Sequence, residues 1–327
     1  MSTLLATVFL ATYAVQTPKK PAGQKPKPPV LGQVQMAGDN GKIGTTYSLG
    51  DKGSELNFTL ESAEFVLRAP MVEDYIVAKK DQKILLLTFS VANPQKNDQS
   101  FSYSSIKFTA VAPDDQNFEF NEYLYHPQRK NRFETTLKPA QKVKALAPFP
   151  IHAEGPVNKL IVRRGNGKVL RYDLRNLVKP LTGPFAKDGN IALEKATVDS
   201  KTPFGFGKAD WTVDAVETLP EGVGNYKPGA NDNIVGITVT IKNPGLQPIK
   251  VGWSTFRPVL TDENGETCEW TQDLLGMSSN RTVDQVVEPD GFFKARYVFR
   301  VSKGAKPAKF TLNDSAESTR SISVTLP

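Results

Sequence analysis

Leu85-Leu86-Leu87-Thr88-Phe89-Ser90-Val91-Ala92-Asn93-Pro94 and Val235-Gly236-Ile237-Thr238-Val239-Thr240-Ile241-Lys242-Asn243-Pro244 are two versions of one phrase, 150 residues apart. In each, apolar residues recur at every second position and a turn-forming Asn-Pro follows. Period two over eight residues marks a half-buried strand, and Asn-Pro ends it. The same offset extends in both directions. Tyr103-Ser104-Ser105-Ile106 matches Trp253-Ser254-Thr255-Phe256, Lys138-Pro139 matches Glu288-Pro289, and Val143-Lys144-Ala145 matches Phe293-Lys294-Ala295. Leu160, Val162 and Leu174 match Phe310, Leu312 and Val324. Upstream, Phe58, Leu60 and Ser62 match Trp211, Val213 and Ala215 at an offset of 153. A period of this length is a whole domain rather than a solenoid unit.

Further strands are predicted near 104–112, 142–150, 158–164 and 168–174, and in the second copy near 254–261, 292–301, 308–313 and 320–326. Gly165-Asn166-Gly167 reads as a hairpin turn, and Asp262-Glu263-Asn264-Gly265 as another. Helix periodicity is nearly absent. Short strands at regular spacing predict an all-β chain of two tandem immunoglobulin-like β-sandwich domains. The expected boundaries are a signal-like segment at 1–16, a Pro/Lys-rich linker at 17–38, and sandwiches at 39–182 and 183–327. Val239 and Ile241 should be buried as Phe89 and Val91 are, with Trp253 and Tyr103 at matching positions.

Each half is long enough for a core without staples. The single cysteine, Cys268, allows no intrachain disulfide. The net charge of +7 is uneven. Residues 1–38 carry four Lys and no acid, residues 39–182 a net +5, and residues 183–327 a net −2. No helix-turn-helix, RNA-recognition or zinc-finger pattern accompanies the basic half, so no nucleic acid is expected. Loose contact with an anionic surface is the more modest reading.

The apolar run at residues 3–15 has the length of a signal-peptide core and is too short to span a bilayer. Small residues near its end offer a cleavage position after Ala14. No Lys or Arg precedes it. Thr17–Pro29, rich in Pro and Lys, reads as an extended spacer of about 40 Å at about 3.1 Å per residue. Export to the periplasm, envelope or extracellular space is expected, with no transmembrane helix in the mature chain.

The second copy resembles a known family. Val239–Gly245, Ser254–Gly265, Glu288-Pro289-Asp290-Gly291 and Ala295–Val301 look like the DUF4352 domains, which are grouped with the mycobacterial immunoprotective extracellular antigens. The likeness covers residues 209–325. The first copy follows more loosely, because Val111–Asn117 lacks the hairpin glycine. The resemblance implies an immunoglobulin-like fold in an exported bacterial protein, with a binding or structural role and no enzymatic mechanism. A thinner resemblance links Asp262–Gly265, followed by Trp270, to bacterial proteinase inhibitors of the BsuPI type. It makes protease inhibition the alternative function.

Little in the chain looks like chemistry. His126 and His152 lie in the first half only and have no Cys or His partners for zinc. No Gly-x-Ser-x-Gly elbow is present. Asp262–Glu266 lacks calcium-loop spacing, and turns use the same residue types. No catalytic residue, metal or cofactor is expected. One segment stands out, Tyr123–Phe133, where Tyr123, Tyr125, Arg129, Lys130 and Arg132 mix aromatic and cationic side chains of the kind enriched at binding surfaces. These five are the candidate binding residues for a protein or an anionic envelope surface. Arg163, Arg164, Lys168 and Arg171 extend the patch if their hairpin lies alongside. The competing reading is a solvated loop with its aromatics packed beneath.

Overall fold

The computed structural model describes residues 38–73, 75–79, 81–182, 195–314 and 321–327. The signal-like run, nearly all of the linker and the expected junction at 182/183 lie outside these residues or at their edge. The described chain is built from strands, and they enclose two separate apolar cores. One core is drawn from Leu49 to Leu181 and the other from Ala196 to Leu326.

In the first half a four-stranded sheet runs in the order Lys142–His152, Gln82–Ala92, Leu56–Val66, Thr46–Leu49. A five-stranded sheet runs Gly38–Gly41, Val169–Asp173, Lys159–Arg163, Lys107–Val111, Asn117–Glu119. Alternation aims Phe58 and Phe89 of the first sheet at Phe108 and Tyr172 of the second. Their ring centroids lie 5.2–6.5 Å apart, mostly tilted or edge-on, as the ring quadrupole favours. This is a sandwich, and burial of these rings supplies its cohesion without a disulfide.

The second half repeats the arrangement. Val239 lies opposite Ala295 as Phe89 lies opposite Ala145, and all four are buried. Ile249 pairs with Val287 as Gln99 pairs with Leu137. Here one long strand, Thr267–Gly276, pairs with Phe256–Asp262 at one end and Phe292–Ser302 at the other. It joins the two halves of the sandwich into one nine-stranded order. In the first half the same path survives as Asn117–Glu119 and a bridge from Tyr125 to Leu146.

The change of offset from 150 to 153 has a visible neighbour. Both copies carry a β-bulge where it applies, between Leu60 and Ser62 and between Val213 and Ala215. The extra residue in each is an acid, and each acid meets the matching lysine. Glu61 pairs with Lys144 at 2.6 Å and Asp214 with Lys294 at 3.3 Å. At the other end the sequence alignment needs correction. Leu160 pairs with Tyr172 while Phe310 pairs with Val324. Val324 is thus the counterpart of Tyr172, not of Leu174, and the last strand runs at an offset of 152. The second hairpin is two residues longer than the first.

Asn93 and Asn243 are more than turn formers. Both are buried. The Asn93 amide donates to Asn97 O and Leu137 O, both at 2.8 Å, and its oxygen accepts from the Gln95 N–H at 2.9 Å. The Asn243 amide donates to Gln247 O at 2.8 Å and Val287 O at 2.9 Å, and its oxygen accepts from the Gly245 N–H at 2.8 Å. One side chain thereby satisfies three backbone groups that the end of the strand would otherwise leave bare.

Candidate functional site

The Tyr123–Phe133 segment has the same backbone as its counterpart in the second half. Lys130 N donates to His126 O at 2.8 Å, and Asn280 N to Gly276 O at 2.9 Å. Lys130 and Asn280 both take positive φ, 56° and 50°. Phe133 N bonds Leu124 O as Val283 N bonds Leu274 O. The fold builds this loop twice, so what differs between the copies is the side chains.

Of the five candidate residues, Tyr125 faces inward. It is 6% exposed and packs with Ala69, Met71 and Leu146 on the outer face of the four-stranded sheet. Its N–H and C=O pair with Leu146. Burial first, and Glu73 second, push its hydroxyl above the ordinary tyrosine range. Its counterpart Leu275 sits in a matching cluster with Val223, Ile234 and Val298. Tyr125 thus anchors the loop rather than presenting itself.

Tyr123 and Arg132 do present themselves. The Arg132 guanidinium carbon stands 3.8 Å from the Tyr123 ring centroid, within cation–π range. Tyr103 meets Tyr123 edge-on at 5.5 Å, and the two tyrosines are 41% and 40% exposed. Sequence reasoning placed Tyr103 only as the counterpart of Trp253. The match holds, and both are exposed rather than part of a core. In the second half, Asp273 and Thr282 replace Tyr123 and Arg132 and bond each other at 2.8 Å. Arg129 is exposed, and Lys130 is partly so.

The hairpin arginines divide. Arg164 is half-buried, giving its guanidinium to Ser54 O at 3.1 Å and Ser105 O at 3.3 Å. It pins the turn that carries Tyr103 and is not itself on offer. Arg163 and Lys168 remain exposed. The hairpin and the loop thus meet through the Ser102–Ser105 turn.

The histidines serve the loops they stand in. His126 Nδ1 accepts the Gln128 and Arg129 N–H groups, both at 3.2 Å, and its ring meets Phe133. His152 lies against Phe118. Cys268 lines a cleft of about 320 Å³ with Asp262, Glu266, Glu269 and Arg300. Burial, then Asp262 and Glu266, push its thiol above the usual range, opposite to what a nucleophile needs. Asp262 accepts from Asn264 N at 2.9 Å and Glu266 N at 2.8 Å, which is turn chemistry. A larger cleft of about 440 Å³ is lined by Phe65, Arg68, Leu181, Phe204, Gly205 and Asp210, among others. In it the Arg68 guanidinium donates to Ala209 O at 2.8 Å and pairs with Asp210. Its charge is therefore already matched. Among the described residues no helix is long and apolar enough to cross a membrane.

The architecture is that of an all-β protein with two β-sandwich cores. Residues 199–322 match the family described as "Domain of unknown function (DUF4352)". That match covers the second sandwich and does not reach the first. Among solved structures, the chain is similar to an uncharacterized beta-sandwich protein from Clostridium difficile 630, at 12% identity over 39% of this chain and 92% of that one, with a TM-score of 0.29. It is similar to the yjhA protein of Bacillus subtilis at 17% identity over 39% and 99%, TM-score 0.30. It is also similar to the ycdA protein of Bacillus subtilis subsp. subtilis str. 168 at 21% identity, TM-score 0.29, over 38% of this chain and 38% of ycdA. No curated protein matches the chain.

Proposed function

We propose that this is an exported, non-enzymatic binding module of the cell envelope or extracellular space. In this reading the first sandwich engages an anionic partner through Tyr103, Tyr123 and Arg132, with Arg129 and Lys130 alongside. The observation that carries the reading is the exposed Arg132–Tyr123 stack. The second copy closes the same two positions with an Asp273–Thr282 hydrogen bond on the same backbone. The fold therefore does not require a cation and an aromatic there. A guanidinium held over an aromatic face can bind carboxylate, sulfate or phosphate with the N–H groups that its hydrogen bond to the Tyr125 hydroxyl leaves over. The apolar run at residues 3–15 supports export, and the net +5 of the first half supports an anionic partner.

The test uses the second copy's own residues. A Tyr123→Asp, Arg132→Thr variant should fold normally and elute from a sulfated polysaccharide matrix at lower salt than the parent. An Arg129→Ala, Lys130→Ala, Arg132→Ala variant should do the same, and should recover less from the producing cell's envelope fraction. Elution and recovery identical to the parent in both variants would remove this loop from consideration.

A further inference from the structure

The Asn243 end of the second sandwich carries apolar side chains on its surface that the fold does not need. Phe292 is 65% exposed, and Leu246 and Val286 are exposed too. All three lie next to residues joined to Asn243. Leu246 precedes Gln247 and Val286 precedes Val287, whose carbonyls take the Asn243 amide. Phe292 follows Gly291, whose carbonyl takes the Asn243 N–H. At the equivalent places around Asn93, the first sandwich has Lys96, Thr136 and Lys142, all exposed. Two copies of one backbone, held by the same hydrogen bonds, thus show that these positions accept charged and polar residues. An apolar cluster kept in water without structural need marks a contact surface.

We propose that this surface binds the lysine-bearing end of the first sandwich in a second copy of the chain. Charge selects the partner. Around the apolar cluster, Lys250 is paired with Asp284 and Lys294 with Asp214. Among the described residues, Lys242, Glu288 and Asp290 form no ion pair, so the end carries one free lysine and two free acids. An anionic lipid surface would meet those acids with repulsion. The Asn93 end has the opposite balance. Lys52, Lys96, Lys138 and Lys142 outnumber Asp98, Glu134 and Glu55, the last of which accepts from the Gln95 side chain, and Lys144 is paired with Glu61. Lys138 stands where the second sandwich has Glu288, and Lys142 where it has Phe292. Lysine stems cover apolar surface while their ammonium groups reach acids at its rim. The whole halves follow the same signs, net +5 and net −2. A two-fold arrangement makes the contact twice and closes at two copies.

Sedimentation velocity of the full chain across the micromolar range tests this. The parent should approach twice the monomer mass with rising concentration and lose that tendency with added salt. A Leu246→Lys, Val286→Thr, Phe292→Lys variant, carrying the residues of the first copy, should dissociate at least about tenfold more readily. Lys138→Glu and Glu288→Lys should each weaken association, and the two together should restore it. Unchanged tryptophan-detected unfolding, with an unchanged far-ultraviolet circular dichroism midpoint for the variants that carry Lys138→Glu, shows that each variant is folded. A parent that stays monomeric, a dimer indifferent to the triple variant, or a double swap that fails to recover overturns the proposal. So does phosphatidylglycerol-vesicle binding that depends on Phe292 in place of self-association.

Discussion

Replacing Asn243 with Ala should cost the second sandwich about 3–5 kcal/mol. The side chain makes three hydrogen bonds in a fully buried position. Each is worth about 1 kcal/mol net, and each backbone group left bare inside the protein costs about 1–3 kcal/mol. Partial relaxation and water entry keep the total toward the lower part of the sum. Against a typical domain stability of about 5–15 kcal/mol, that is a large fraction. The assay is urea unfolding followed by tryptophan fluorescence. All three tryptophans, Trp211, Trp253 and Trp270, lie in the second half. The signal therefore reports that sandwich alone. Asn243→Ala should lower the fluorescence midpoint. Asn93→Ala should leave it in place and lower a midpoint seen by far-ultraviolet circular dichroism. Lys242→Ala, one exposed residue away, should change neither by more than about 0.5 kcal/mol. A loss below 1 kcal/mol from Asn243→Ala would refute the role assigned to the side chain. A fluorescence shift of equal size from Asn93→Ala would refute the independence of the two cores.

The Tyr297 hydroxyl is buried without a hydrogen-bond partner among the described residues, so Tyr297→Phe should raise stability by about 1 kcal/mol in the same fluorescence experiment; a loss of that size would reveal a partner. Cys268 should react with iodoacetamide more slowly than a free thiol at pH 8 and catch up only as pH climbs past the usual thiol range. Its raised pKa favours the neutral form in the folded state, so any stability it lends is present below the unfolded thiol pKa and fades as pH rises. Arg175, bonding the Asp173 carboxylate from side chain and backbone, holds its pKa at about 2. A carbon-detected titration should show Asp173 still ionised at pH 3, and Arg175→Gln should move its midpoint toward the ordinary 3.8. The depressed value means that its contribution is present above the unfolded pKa and is lost as pH falls from 3.8 toward 2.

Much of the fold was legible because strand period and turn chemistry are local, and because the chain states each twice. The bulges at Glu61 and Asp214 stand at one offset of 153, so the change to 150 lies in the connection that follows each bulged strand and not in the bulge. The last strand was misaligned by two residues, since alternation of similar apolar residues fits more than one register and only pairing decides. The site was less legible. Tyr125 reads as a binding aromatic from composition, but the signal against that was available. Its counterpart is Leu275, an apolar residue beside Leu274 just as Tyr125 follows Leu124. A position that accepts leucine in one copy answers to packing. Tyr103 was missed as a site residue because its ring meets Tyr123 across 20 residues of chain, a contact that periodicity does not encode.

The way each half begins has a mechanical meaning. Gly38–Gly41 lies parallel to Val169–Asp173, and Lys195–Asp199 lies parallel to Ser321–Thr325. In each half, then, the entering strand and the leaving strand run side by side in the same direction. Tension applied to the two ends of such a half drags these strands past one another along their length. The load falls on the four or five paired residues together, in shear, instead of opening them one at a time like a zipper. A chain held at one end while its far end is tugged would resist with both halves in series, each yielding only when its own parallel pair slips as a unit.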